Sequence, residues 1–351
     1  MKTGRSLQDL AAELDRQATS KRDYLADTRR LEMKPLDSGK VMLDGVNGGM
    51  QLKLIAHAQL ANSLQIPKTY YDRMLQEAPD LLSTNVNRWL AKQPAKKLIR
   101  TLDGEVRAIL SDSYRPLDNL ELAEAVLPKL IDLQAHVVSS EVTDSRLYIK
   151  AVTDRIAGEI KVGDVINAGV VVSNSEVGQG SLRVEVLDFR LVCANGMIRE
   201  ASIRKAHLGR SSRGQDVIED SREFFRDETR QADDRAFFLK VRDATTAMFD
   251  QERFLKRIEA YKGASAVQAG PSGSEEEIVE VTAKRFGFSE AEKGGILRHL
   301  IRGGDLSVWG VANAVTRQAQ DVEQYDRATE LEALGGSIIE LPRSAWRAVS
   351  N

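Results

Sequence analysis

Residues 97–114 read KLIRTLDGEVRAILSDSY, and the pair Asp103-Gly104 near their centre decides how the chain is read. Apolar and polar side chains alternate on both sides of that pair, and Asp-Gly tolerates the positive φ of a two-residue hairpin turn. The stretch therefore predicts an antiparallel hairpin. RLYIKAVT at 146–153, VINAGVVVSNSEV at 165–177 and SLRVEVLDFRLVCA at 181–194 continue in the same texture. A single helical stretch, NLELAEAVLPKLIDLQ at 119–134, follows Pro116 and interrupts them. Hairpin, helix and then several strands predict an α+β fold over residues 95–213, an antiparallel hairpin-rich sheet with a backing helix, flanked by N-terminal and C-terminal helical regions.

Upstream, residues 1–94 read as a helical region. SLQDLAAELDRQA places Leu7, Leu10, Ala11 and Leu14 at helical spacing, and beyond the Gly-rich DGVNGGM the same spacing returns in Leu60, Leu64, Tyr71, Met74 and Leu75. Pro67 suits a helix start, where its missing N–H is no loss. Downstream, residues 214–262 read as charged helix anchored by Phe224, Phe225, Phe237, Phe238, Phe249 and Phe254. Residues 263–277 are rich in Gly, Ala and Ser and predict a flexible linker to a helical C-terminal unit at 278–351. Ser274 with Glu277, and Ser289 with Glu292, have capping-box spacing and mark two helix starts.

At 351 residues the chain is long enough for more than one compact unit. No stretch has the apolar length of a signal peptide or a membrane span, so a cytoplasmic protein without a membrane partner is expected. Cys193 is the only cysteine, which excludes an internal disulfide. His57, His136, His207 and His299 are too scattered for a zinc site, and neither metal nor other cofactor is expected. A formal net charge of −2 excludes wholesale polycation behaviour, so any nucleic-acid binding has to come from a local patch.

The sequence contains such a patch. Between residues 199 and 213, Arg199, Arg204, Lys205, Arg210 and Arg213 face Glu200 alone, whereas residues 216–234 hold eight acids against three arginines. Either the two segments neutralise one another, in the fold or across subunits, or the basic one tracks phosphates. Arg100, Arg107, Arg115, Arg146, Lys150, Arg183 and Arg190 extend the patch along the strands, and Tyr114 and Tyr148 offer stacking faces.

Other motifs have plainer alternatives. Cys193 with His207 as its base would make a nucleophile, but alternation puts the cysteine on one strand face with Phe189 and Leu191, the setting of an inert thiol. Asn195-Gly196 then reads as the two-residue turn between DFRLVCA and MIREASIR. HAQLANSLQIPKTYYDRML has the outline of a helix-turn-helix whose second helix opens with Lys68, Thr69 and Tyr70, although Gln65 stands where a turn glycine is usual. Asp112 and Asp118 are a candidate cation pair or, more simply, a strand end and a helix cap. VGQG at 177–180 lacks the Lys-Ser/Thr of a P-loop and reads as a glycine-lined turn.

Taken together, RTLDGEVRAILSDSYRPLDN, SNSEVGQG, RLVCANGM and SVWGVANAVTRQAQ resemble the uncharacterised family called domain of unknown function 932, over roughly residues 45–330. QLANSLQIPKTYYDRM and NVNRWL resemble its helical entry. The resemblance implies a protein of phages, plasmids and prophages, near replication and recombination genes, and it brings no catalytic residues. By fold analogy the plan is similar to that of Rad52-related single-strand annealing proteins. The expectation is a non-enzymatic, homo-oligomeric protein that binds and anneals single-stranded DNA. Arg199, Arg204, Lys205, Arg210 and Arg213 would hold phosphates, Arg100, Arg107 and Arg115 would line a groove, and Tyr114 would stack on bases. The alternative is a factor that acts on a host defence or replication protein through its charged helices.

Overall fold

The computed structural model describes residues 1–114, 116–205, 227–269 and 274–342, without the side chains of 200–205, 227–231 and 234. Helix α1 (Leu7–Ser20) begins at Ser6, whose hydroxyl accepts the Asp9 N–H, and buries Leu10 and Leu14. Strand β1 (Arg22–Asp27), a 3-10 turn (Thr28–Arg30) and a small antiparallel sheet of β2 (Glu32–Pro35), β3 (Val41–Asp44) and β4 (Met50–Gln51) follow. Next come α2 (Leu54–Ser63), α3 (Lys68–Glu77), α4 (Pro79–Lys92), β5 (Lys96–Leu102) and β6 (Glu105–Ser111). The Asp-Gly hairpin forms as its sequence predicts: Leu102 opposes Glu105, with Asp103 and Gly104 at φ 55° and 77°.

The strands between residues 22 and 51 depart from the helical reading of the N-terminal region. They are short, and β1 is held by a partner far along the chain, pairing antiparallel with β5 in a sheet ordered β1-β5-β6. Ile99 and Val106 of the hairpin share a core with Leu43, Leu60, Tyr71, Leu82 and Val86. The hairpin thus belongs to the N-terminal core and not to the larger sheet.

Helix α5 (Asn119–Asp132) leads into β7 (His136–Val142), β8 (Leu147–Glu159), β9 (Val165–Asn174), β10 (Leu182–Arg190) and β11 (Asn195–Lys205). They make one antiparallel meander in the order β11-β10-β9-β8-β7. Six helices complete the described chain: α6 (Asp227–Ala247), α7 (Gln251–Ser265), α8 (Glu275–Phe286), α9 (Glu290–Gly303), α10 (Val308–Gln318) and α11 (Tyr325–Ile339). Because side chains alternate across a strand, Leu147, Ile149, Val170, Val172, Leu182 and Val184 pack on one face, against α1, α5 and α6. Val152, Val171, Leu187 and Ile198 form a cluster with Ala333 of α11 on the other. Both faces of the meander are covered.

The predicted caps are present. Ser289 and Glu292 form a full capping box, and the Ser274 hydroxyl accepts the Glu277 N–H. Phe237 and Phe254 are buried anchors, Phe238 and Phe249 are partly buried, and Phe224 and Phe225 lie outside the described residues. The expected linker is docked over its first part: α7 runs to Ser265, and Ala269 N–H donates to Leu306 C=O at 3.0 Å while Val308 N–H donates to Val267 C=O at 2.9 Å. The β10–β11 turn also differs from expectation. It comprises residues 191–194, with Arg190 opposite Asn195 and Phe189 opposite Gly196. Asn195 is held on the strand because its buried carboxamide donates to Asn313 Oδ1 at 3.2 Å and Thr316 Oγ1 at 2.5 Å. Cys193 therefore lies half-buried in the turn and not on a buried strand face. Among the described residues no helix is long and apolar enough to cross a membrane.

Candidate functional site

The stretches 100–107, 113–114 with 116–119, and, much later in the chain, 173–178 meet where the N-terminal core abuts the end of the meander. Arg100 on β5 donates from Nε to Asp23 Oδ1 at 2.8 Å and from Nη1 to Glu176 C=O at 2.7 Å. Arg107 on β6 reaches Glu176 Oε2 at 2.5 Å. The other Glu176 oxygen accepts the Asn119 N–H at the start of α5 at 2.7 Å, with Lys21 Nζ 3.5 Å away. Lys21 also pairs with Asp118 at 2.8 Å. Asn174 donates to Leu117 C=O and Asn119 Oδ1, both at 2.8 Å, and the Tyr114 hydroxyl donates to Ser175 C=O at 3.0 Å. Burial pushes the Glu176 carboxyl up, but the charges of Arg107, Lys21 and Arg100 and the Asn119 N–H outweigh it and hold the group below its ordinary value. Burial pushes the Tyr114 phenol up to about 12.

This geometry corrects the expected groove. Arg100, Arg107 and Tyr114 are 1%, 7% and 5% exposed, and the groups they present, Arg100 Nε and Nη1, Arg107 Nη2 and the Tyr114 hydroxyl, bond inside the protein, while Arg107 Nε is buried without a hydrogen-bond partner among the described residues. Among the described residues three cations, Lys21, Arg100 and Arg107, meet three carboxylates, Asp23, Asp118 and Glu176, so their charges balance. Chemically it is a clamp between two cores. Arg107 also reaches the wall of a small polar cleft beside α1, where Arg5, Arg16 and Lys53 are matched in turn by Glu141, by Glu13 and Asp103, and by Asp144. Asp118 is engaged by Lys21 and Arg100, and no cluster of three or more candidate metal ligands occurs among the described residues. The partners Lys21, Asp23 and Glu176 escape sequence reading, because nothing in their spacing announces that they meet.

The remaining predicted residues divide by position. Arg199 is turned inward: it pairs with Glu340 at 2.8 Å, and its guanidinium lies 5.7 Å from the Tyr261 ring centre. Lys150 is fully buried against Glu332 at 2.6 Å, and Arg190 pairs with Asp164 at 2.5 Å. Tyr148 is buried beside Tyr325. Arg115, Arg210, Arg213 and His207 lie outside the described residues. In the helix-turn-helix candidate, Gln65 does adopt the left-handed φ of 56°, yet Lys68 pairs with Asp72 and Arg73 with Glu77 along the same helix.

A different basic cluster emerges from the strand register. Arg204 is directly opposite Arg183, and Lys205 is opposite Leu182. Arg183 is in turn opposite Ser173, and Ser173 opposite Tyr148, so Arg146 leads into the same end of the sheet. The Arg183 Nε is buried without a hydrogen-bond partner among the described residues, and Glu185 Oε1 is 3.8 Å from its Nη1. Arg146 donates from Nη2 to Gln179 C=O in the VGQG loop.

A family model described as domain of unknown function (DUF932) matches residues 106–334, about two-thirds of the chain. The match starts on β6 and ends on α11, so it takes in the whole meander and leaves out α1 to α4. No curated protein and no solved structure matches the chain.

Proposed function

The chain belongs to the domain of unknown function (DUF932) family, and from that starting point we propose that it binds single-stranded DNA and promotes its annealing, as a homo-oligomer serving recombination or replication of mobile elements. The phosphate contacts are assigned to the Arg183, Arg204 and Lys205 end of the β10–β11 pair. One observation carries the reading: Arg183 and Arg204 are cross-strand neighbours, with Lys205 one residue further on. Like charges directly opposite destabilise a sheet, and a polyanion laid across them would turn that repulsion into binding. The sequence then continues through Arg210 and Arg213, which would lengthen the phosphate track.

Fluorescence anisotropy of a labelled single strand over a salt series tests the assignment. Each neutralised phosphate contributes about −0.7 to the slope of log K against log salt for a single strand. Replacing Arg183, Arg204 and Lys205 together by alanine is expected to lower affinity and flatten the slope by about 2. Unchanged affinity and slope would reject this site. The reading as a protein-interaction factor is favoured by a separate fact, the internal pairing of Arg100, Arg107 and Arg199. It takes precedence if neither single strand nor duplex binds at low salt.

A further inference from the structure

The loop between β9 and β10 holds Arg146 in an unusual way. Gly180 has φ +144°, a conformation that side-chain-bearing residues rarely adopt, and the space where its Cβ would stand is filled by the Arg146 guanidinium. The same guanidinium donates from Nη2 to Gln179 C=O. The guanidinium is thus bonded to the loop at Gln179 and packed against Gly180. Arg146 is half-buried and makes no ion pair among the described residues. Gly180 stands three positions before Arg183, at most about 10 Å of extended chain, so the guanidinium held at Gly180 lies at the same end of the sheet as Arg183. Arg183 has a buried Nε without a hydrogen-bond partner among the described residues, with Glu185 3.8 Å from its Nη1.

We propose that Arg146, oriented by Gly180, and Arg183 form a clamp for one phosphate group, with Gly180 acting as the positioning residue. A guanidinium with a fixed plane offers paired N–H donors to phosphate oxygens, whereas a freely rotating one has to be ordered on binding. The nucleic-acid source of that phosphate rests on the function proposed above; the phosphate chemistry itself does not.

The experiment compares the full chain with Arg146→Ala, Gly180→Ala and the double variant. A labelled oligonucleotide is read by anisotropy and inorganic pyrophosphate by calorimetry, with melting curves to confirm folding. A Cβ at 180 meets the far end of a flexible side chain, so it is expected to swing Arg146 away while the protein stays folded. Each single variant should weaken both ligands at least fivefold, and the double should be no worse than Arg146→Ala, since both changes remove one interaction. Arg146→Ala introduces no backbone strain and keeps the test valid if Gly180→Ala fails to fold. If the oligonucleotide binds through Arg204 and Lys205 but neither ligand responds to Arg146→Ala, the clamp is overturned and the functional reading survives. Pyrophosphate binding that depends on Arg146, with no oligonucleotide binding, would keep the clamp and overturn the function. No binding of either ligand overturns both.

Discussion

Glu176 shows how a single residue can organise the junction. It is 4% exposed, and its carboxylate is shared by Arg107, Lys21 and the Asn119 N–H. Removing one partner of a buried ionic cluster leaves the others uncompensated, at a cost of about 3–5 kcal/mol. Glu176→Gln is therefore expected to lose stability of that order in urea unfolding at pH 7, and a loss below about 1 kcal/mol would show the cluster to be peripheral. Two groups separate in pH. Burial pushes the His57 imidazole down to about 4 from 6.5, so folding favours its neutral form. Its contribution is complete above pH 6.5 and is lost as pH falls towards 4. Glu176 is shifted below its ordinary value, so its contribution is present above the unfolded carboxyl pKa of about 4.3 and disappears only as pH falls through the lower folded value. Stability should decline first between pH 6.5 and 4, and His57→Asn, which keeps a hydrogen-bonding side chain beside the Tyr71 hydroxyl, should flatten that part and leave the acid limb intact. Unfolding midpoints at a series of pH values would show it. At this scale charge was legible in the sequence and burial was not: all residues from 98 to 102 are buried, because β5 is the central strand of its sheet, so Arg100 has no exposed face to occupy.

Among the elements, α11 closes the second face of the meander through a buried ion pair. Lys150 and Glu332 are both fully buried at 2.6 Å, with Thr329 Oγ1 2.9 Å from the ammonium and the Tyr325 ring centre 4.7 Å away. The second Glu332 oxygen has no hydrogen-bond partner among the described residues. Desolvation makes such pairs poor sources of net stability but expensive to break singly. Lys150→Met and Glu332→Leu alone are each expected to destabilise by about 3–5 kcal/mol, and the double substitution to come back close to the parent. Additive losses in the double variant would show that the pair contributes net stability. Elements governed by local rules were legible in advance, as the Asp103-Gly104 hairpin and the Ser289 capping box demonstrate. Elements governed by distant partners were not. Strands β1 to β4 are two to six residues long and give no periodicity to read, and the Asn195-Gly196 turn is displaced because α10 captures the Asn195 carboxamide.

For the whole molecule, the α+β class and the antiparallel sheet with a backing helix followed from the alternation of strand residues, the covering of the second face by α11 did not, and family membership agreed with the motifs that suggested it. The candidate surface was only half legible. The sequence shows which strands carry arginines, but the register decides which of them are spent on internal carboxylates. Arg100, Arg107, Arg190 and Arg199 are ion-paired at 2.5–2.8 Å within the described protein, while Arg183, 3.8 Å from Glu185, is set opposite Arg204 at one end of the sheet. With a net charge of −2, that end is the local feature on which binding of a polyanion would depend. The most direct measurement is the salt dependence of single-strand binding by the full chain, with duplex of the same sequence alongside and the Arg183→Ala, Arg204→Ala, Lys205→Ala triple variant as reference. The account predicts steeply salt-dependent binding that favours the single strand and a shallower slope in the variant. Failure to bind either nucleic acid at low salt, or a triple variant that retains parental affinity and slope, would contradict it.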